Sequence, residues 1–334
     1  MSITDQRNRP LRDLRISVTD RCNFRCRYCM PVEVFGADYR FLPREEILRF
    51  GEIEKIAERA VKLGVRKIRL TGGEPLLRRN LTDLVSRLAE IDGVDDLAMT
   101  TNAALLEKHA EGLKAAGLHR VTISLDALDA DIFGQMNGVG ASPKKVIAGI
   151  DTAIASGLGV KVNAVIKRGV NDVEVMGLVG FARSRAIPIR FIEYMDTGNV
   201  NGWKLDEVVP SHELLEKISE QIPLVISDRE AGETAQRYVL SGEAGFEVGF
   251  ISSVTQPFCS SCNRARLSAD GKIFACLFAA EGVDVKQLLR EDASDAEIDQ
   301  LLGAIWSNRN DHYSEQRSSL TENLPKAEMS YLGG

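Results

Sequence analysis

The 334-residue sequence predicts an α/β protein, a partial β/α barrel of six units with a smaller C-terminal region closing the barrel mouth. Three observations predict it. Short β-prone runs alternate with helical patterns, as in a parallel sheet with right-handed crossovers. The runs carry polar residues at alternate positions, whereas a buried parallel sheet normally reads apolar on both faces. A group of cysteines follows the first run directly, where a barrel of this kind gathers its reactive groups.

The six runs are Leu14 to Thr19, Arg66 to Leu70, Asp96 to Asn102, Arg120 to Asp126, Val160 to Ile166 and Pro188 to Met195. Arg15, Ser17, Thr19, Lys67, Arg69, Ala98, Thr100, Asn102, Thr122, Ser124, Asp126, Lys161 and Asn163 fall on one face, and Leu14, Ile16, Val18, Val121, Ile123, Val160 and Val162 on the other. The polar face predicts a curved sheet with a hydrated concave side. Of the intervening helices the clearest runs from Glu45 to Leu63, with Ile47, Phe50, Ile53, Ile56 and Ala60 at helical spacing before Gly64 ends it. After about residue 210 the pattern changes, dividing the chain into 1–210 and 211–334. One hairpin is expected around Gly242 and Gly245, another at Asp270-Gly271, and a helix from Ala293 to Asn308.

Composition narrows the function. With 42 Lys and Arg against 48 Asp and Glu, net charge −6, a broadly basic nucleic-acid-binding surface is not expected. No twenty-residue apolar run and no apolar signal core at MSITDQRNRP appear, so a cytoplasmic protein without membrane attachment is expected. A reducing compartment suits free thiolates. None of the four histidines, His109, His119, His212 and His312, sits in a ligand-like pair.

Cys22, Cys26 and Cys29 form a CxxxCxxC pattern. Three neighbouring loop cysteines suit a metal or an iron–sulfur cluster, and a four-iron cube held by three thiolates keeps one iron open to a small molecule. A zinc knuckle or three unrelated buried cysteines are the alternatives at this point. TGGEP, Thr71 to Pro75, offers two glycines for close backbone approach and Glu74 as an acceptor for a ligand ammonium. Cys259, Cys262 and Cys276 form a second trio, the last returned to the CxxC pair by the Asp270-Gly271 turn. A structural zinc usually takes a fourth protein ligand, and no fourth cysteine or nearby histidine stands with them, so a second open iron is implied. Arg264 and Arg266 follow the second pair. With Arg15, Arg69 and Lys161 they make a cationic lumen whose natural partner is a polyphosphate.

The first cysteine loop, with Tyr28 before its third cysteine, and TGGEP one strand later resemble the radical S-adenosylmethionine (SAM) superfamily. That resemblance implies a barrel of radical SAM type and makes Tyr28, Gly73, Ser124 and Met195 SAM contacts. With KVNAVIKRGVND, FIEYMDTG, CSSCNRARLSADGKIFAC and the terminal MSYLGG, the whole chain resembles the GTP 3′,8-cyclase family of molybdenum cofactor biosynthesis. The family resemblance implies two 4Fe–4S clusters, SAM as cofactor and GTP as substrate. It implies GTP contacts at Arg15, Arg69, Thr100, Lys161, Arg264, Ala265 and Arg266, with Arg190 a weaker candidate. It further implies catalytic support from Arg264, Arg266 and a tail, Gly333-Gly334, that enters the site; Leu332 stands where an Ile is common. In that family a 5′-deoxyadenosyl radical takes the C3′ hydrogen of GTP and C3′ then attacks C8. A homodimer, a reductase or flavodoxin-type electron donor and a downstream cyclic pyranopterin synthase are implied as partners.

Three other readings compete with this one. A radical SAM maturase acting on a peptide has no need of Arg264 and Arg266; a two-cluster electron carrier has no need of TGGEP or a cationic lumen; a zinc module predicts colourless protein.

Overall fold

Parallel strands buried on one face and polar on the other organise the chain. The computed structural model describes residues 2–228, 232–240, 246–291, 293–317 and 324–333. The strands are β1 (Asp13–Ser17), β2 (Lys67–Thr71), β3 (Asp96–Thr101), β4 (Arg120–Ser124), β5 (Gly159–Ile166), β6 (Ile189–Glu193), β7 (Leu224–Ile226), β8 (Gln236–Leu240), β9 (Glu247–Ile251), β10 (Arg264–Leu267), β11 (Lys272–Phe274) and β12 (Val283–Asp284). The helices are α1 (Phe50–Lys62), α2 (Leu81–Ala89), α3 (Ala110–Ala115), α4 (Ala130–Asn137), α5 (Lys144–Ala155), α6 (Val175–Ser184), α7 (Ser211–Ser219), α8 (Lys286–Arg290), α9 (Asp295–Ser307), α10 (Tyr313–Gln316) and α11 (Met329–Leu332). None is long and apolar enough to cross a membrane among the described residues.

The first six strands pair in chain order, all parallel. Strands from the C-terminal third then extend both edges: β9 pairs parallel with β6 and β10 parallel with β1, giving the order β12-β11-β10-β1-β2-β3-β4-β5-β6-β9-β8-β7. The sheet is open. The β8–β9 and β10–β11 hairpins are antiparallel as expected; Gly271 turns the second at φ +88°, whereas Gly242 and Gly245 lie outside the described residues.

Leu14, Ile16, Val18, Val121, Ile123 and Val162 on one face are buried with Ile53, Ile56, Ala57 and Ala60 of α1 in a single apolar core. The helix expected from Glu45 begins only at Phe50. Residues before it are committed elsewhere: Ile47 N–H donates to the Arg44 carbonyl in a turn after Pro43, and Leu48 N–H donates to Ala269 O at 2.8 Å. Glu52, which accepts from Arg49 N–H at 2.6 Å, closes the new helix start. The late helix α9 starts at Ser294, whose side chain caps Glu297 N–H, and it lies against α1 through Arg59 Nε and Asp299 Oδ1 at 2.6 Å.

Glu193, at the end of β6, joins the two halves of the chain. Its buried carboxylate accepts Ser211 N–H and the N–H groups of Val254 and Thr255, each at 2.9 Å, and the Ser211 hydroxyl at 3.0 Å. Glu193→Ala would leave these donors dry and unpaired, and is expected to lower unfolding stability by about 3 kcal/mol or more. A shift of the urea midpoint measures it.

Candidate functional site

The polar face of the sheet opens on a cavity of about 290 Å³. Cys22, Cys26, Cys29, Cys259, Cys262 and Cys276 all line it. The two trios sit at opposite ends of the strands. The first follows β1 and lies at the C-terminal edge, while Cys259 and Cys262 precede β10 at the N-terminal edge. Cys276 returns to that same edge because β11 runs antiparallel to β10, with Arg266 opposite Phe274. Between the two ends β1 spans roughly 16 Å.

The loop of the first trio is built on local turns and on β2. Cys29 N–H and Met30 N–H donate to Cys26 O at 2.9 and 2.7 Å. The two glycines of TGGEP permit a close approach, and the partner is this loop: Gly73 N–H donates to Thr19 O at 2.8 Å, Glu74 N–H to Arg21 O at 2.8 Å, and a Cβ on Gly73 would collide with the Arg21 carbonyl. Glu74 is placed differently from the expectation. It is 1% exposed, does not line the cavity, and accepts Thr101 Oγ1 at 2.7 Å, Asn102 N–H at 2.8 Å and Leu76 N–H at 3.1 Å. A buried carboxylate must collect such donors, and its role is to pin the turn to the end of β3.

Tyr28, Gly73, Ser124 and Met195 line the cavity near the first trio. Tyr28 OH donates to Asp126 Oδ2 at 2.8 Å, and Asp126 Oδ1 accepts Val165 N–H at 2.9 Å. Burial pushes Asp126 up to about 6 despite those bonds. Arg15, Arg69, Thr100, Arg264 and Arg266 line the middle and the far end. Register explains this row: Arg266, Arg15 and Arg69 are Cα partners across three adjacent parallel strands. Burial, then mutual repulsion, depresses Arg69 and Arg266 to about 9. Arg69 Nη1 donates to Thr100 and Thr122 hydroxyls at 3.2 and 3.3 Å, yet Nε of Arg15, Arg69 and Arg266 is buried without an acceptor. Three such donors, aligned and dry, suit a polyanion.

Ala265, between the two arginines, points to the opposite face and joins the apolar core, as alternation demands. Lys161 and Arg190 do not line the cavity. Burial, then Arg190 and Arg120, lowers Lys161 to about 8, and Arg190 stands 3.8 Å from Glu233 and 3.9 Å from Glu247. Gly333 lies at the first-trio end, at φ +75° against Thr71 and Gly72; Gly334 lies outside the described residues.

The second trio is backed by charges the sequence did not reveal. Arg9 Nη1 donates to Cys259 O and Arg309 Nη1 to Cys262 O, both at 2.8 Å. Buried Asp5 holds both guanidiniums, at 2.6 Å from Arg9 Nε and 3.4 Å from Arg309 Nη1. These residues are distant in sequence and form no motif. Asn102, just past β3, donates from Nδ2 to Cys22 Sγ at 3.8 Å; the sequence marks it only as one more polar residue of the third β-prone run.

The donor sets fit iron–sulfur clusters. Among the described residues no three His, Cys, Asp or Glu side chains converge as one metal ion requires. Three cysteines line each end of the cavity and no histidine lines it among the described residues, which suits a cluster with one open iron better than a four-liganded zinc. Burial raises Cys22 to about 11, Cys29 to about 12 and Cys26 well above its usual range, so thiolates there need a cationic group to hold them. At Cys262 burial is outweighed by Arg264 and Arg309, which bring the thiol down to about 6; Arg264 Nη2 donates to its sulfur at 3.3 Å. In iron-free protein near neutral pH, Cys262 is expected to be more ionised than Cys22 or Cys29. Iodoacetamide is therefore expected to label Cys262 before Cys22 and Cys29, and Arg264→Ala to slow that labelling several-fold, as read by peptide mass spectrometry.

The Radical SAM superfamily model matches residues 16–182 and the Molybdenum Cofactor Synthesis C model residues 187–315. Among solved structures the fold is similar to Streptococcus suis SuiB bound to S-adenosylmethionine, with a TM-score of 0.64 at 17% identity over 95% of this chain and 73% of that chain. Curated relatives named GTP 3′,8-cyclase include one from Staphylococcus epidermidis, 47% identical, and one from Staphylococcus carnosus, 45% identical, each match covering 99% of both chains. A third, from Acidothermus cellulolyticus, is 48% identical over 99% of both chains. Identity at this level, end to end and under the same name, is decisive: the chain belongs to the GTP 3′,8-cyclase family.

Proposed function

We propose that this protein cyclises GTP between ribose C3′ and guanine C8, an early step of molybdenum cofactor biosynthesis, with SAM as the radical source. The observation that carries the reading is one cavity with a cysteine trio at each end and a row of arginines between. Cys22, Cys26 and Cys29 would hold one 4Fe–4S cluster, and Cys259, Cys262 and Cys276 a second. When bound, the first cluster would supply the electron with which this superfamily cleaves SAM to a 5′-deoxyadenosyl radical.

The chain's own residues divide the work along the strands. Near the first trio, the Gly73 turn, Tyr28, Ser124 and Met195 form the wall for SAM, with Tyr28 held by Asp126. In the middle, Arg15, Arg69 and Arg266 offer unpaired N–H groups to the triphosphate, with Thr100 beside them. Arg264 ties this row to the second trio, where the guanine would sit. Ala265 can contribute through its backbone alone, and Lys161 would have to turn toward the nucleotide from its present charge cluster. Rigid strands hold the reacting groups in fixed relation.

In this reading residues 1–210 carry SAM and 211–334 bring the second trio and the Gly333-Gly334 tail. The protein is cytoplasmic and homodimeric, takes electrons from a reductase or flavodoxin-type donor, and hands its product to cyclic pyranopterin synthase. Anaerobic reconstitution with iron and sulfide, followed by SAM, reductant and GTP, should yield 5′-deoxyadenosine and a cyclised nucleotide. Cys26→Ala should abolish SAM cleavage, whereas Cys276→Ala should leave some uncoupled cleavage and remove nucleotide conversion. Normal conversion of GTP by both variants would overturn the assignment.

A further inference from the structure

The loop after β6 grips the C-terminal chain. Asp196, with 4% of its side chain exposed, accepts Tyr313 OH at 2.7 Å and Lys326 Nζ at 2.9 Å on Oδ2, and Arg317 Nε at 2.8 Å on Oδ1. Lys326 Nζ also donates to the Asp196 carbonyl at 3.1 Å, and its side chain is 1% exposed. One buried carboxylate thus collects two cations and a phenol, from residues before 318 and after 323.

Asn199 makes a second set of bonds three residues on. Its side chain accepts Lys326 N–H at 2.8 Å and donates to Leu324 O at 3.0 Å, while its own N–H donates to Glu328 Oε1 at 2.8 Å. Gly198, at φ +71°, leaves room for Glu328, into which a Cβ would run. The next residues are α11, with Met329 lining the cavity, and then Gly333 against Thr71 and Gly72. A helix of four residues has no stability of its own, so its anchors decide where the tail lies.

The same carboxylate also borders the wall that Met195 forms. Asp196 follows Met195, Arg317 Nη1 donates to Ser253 O at 2.8 Å, and Ser253 Oγ donates to Met195 Sδ at 3.7 Å. Asp196 could therefore act on the tail or on the wall. Tyr313 stacks at 4.4 Å between centroids on Phe278, which lines the cavity, whereas Lys326 belongs to the strap that leads into α11, so its two bonds to Asp196 bear on the tail.

We propose that Asp196 is a positioning residue that holds the C-terminal chain, and with it Gly333, against Thr71 and Gly72. The catalytic half of this inference rests on the reading that the tail serves GTP conversion. Charge-assisted bonds to a buried carboxylate are strong enough that losing the charge should release the tail.

The test is a double-mutant cycle on the reconstituted full chain: wild type, Asp196→Asn, a chain lacking Gly333 and Gly334, and both changes together. Hydrogen exchange of 324–333 is expected to speed up at least about tenfold in Asp196→Asn, with that of α7 unchanged. GTP turnover should fall by about tenfold while uncoupled SAM cleavage and the KM for SAM hold, and the double variant should be no slower than truncation alone. Asn199→Ala removes two bonds to the same chain without touching a buried charge, and should speed exchange over the same residues if Asp196→Asn does not fold. Additive losses in the double variant, a raised KM for SAM, or unchanged exchange at 324–333 would overturn the proposal. Unchanged turnover on truncation would instead remove the tail from the reaction and the catalytic half with it, leaving exchange to decide whether Asp196 holds the chain.

Discussion

The parallel pairing of β10 with β1 is the constraint on which the site depends. Residues 264 to 267 return from the far end of the chain and lie in register with residues 13 to 16. Backbone hydrogen bonds make that register all-or-none, because a slip of one residue would turn Arg266 into the core and Ala265 into the cavity. The same pairing carries Cys259 and Cys262 to the N-terminal edge, opposite the loop that follows β1 at the other. One ladder therefore sets the arginine row and the separation of the two trios.

Electrostatics distinguishes the two ends. At the first trio burial is the main cost, with Asp126 near Cys26 and Glu74 near Cys22 adding to it and Arg25 offsetting only part at Cys22, so its thiolates are costly until a cationic group joins them. At the second, Arg264, Arg309 and Arg266 favour a thiolate at Cys262 and leave an excess of positive charge beside the cavity, whereas burial and then Asp311 raise Cys276 to about 12. Asp13 offsets part of that excess; burial raises its carboxyl, and Lys67, Arg15, Arg69 and Arg264 together bring it below the usual carboxylate range. The remaining charge faces a ligand. An acidic protein thus keeps a cationic interior for an anionic substrate, and pays in repulsion when none is there.

Tight backbone approaches hold this arrangement still. The Gly72-Gly73 turn touches the chain at Thr19 and Arg21 on one side and Gly333 on the other, so first trio, turn and tail share one set of contacts. Glu193 and Asp196, three residues apart, anchor the C-terminal third at two further points: one takes the backbone after β9, the other the last strap of the chain. Glu193 ends β6 and Asp196 lies three residues beyond it; both carboxylates are buried, where only converging donors can offset the burial.

Much of this was legible before folding. Alternation of polar and apolar residues within β-prone runs determined which side chains share a face, and that placed Arg15, Arg69, Ser124 and the cysteine loop without any coordinates, because a period of two is a local property of an extended chain. Cysteine spacing and TGGEP likewise carried the chemistry. The helix start at Phe50, the inward role of Glu74, the backing of the second trio by Asp5, Arg9 and Arg309, and the clamp at Asp196 were decided only by tertiary structure. Each depends on partners tens to hundreds of residues away, and a buried charge takes its role from the donors that surround it, which no local pattern encodes.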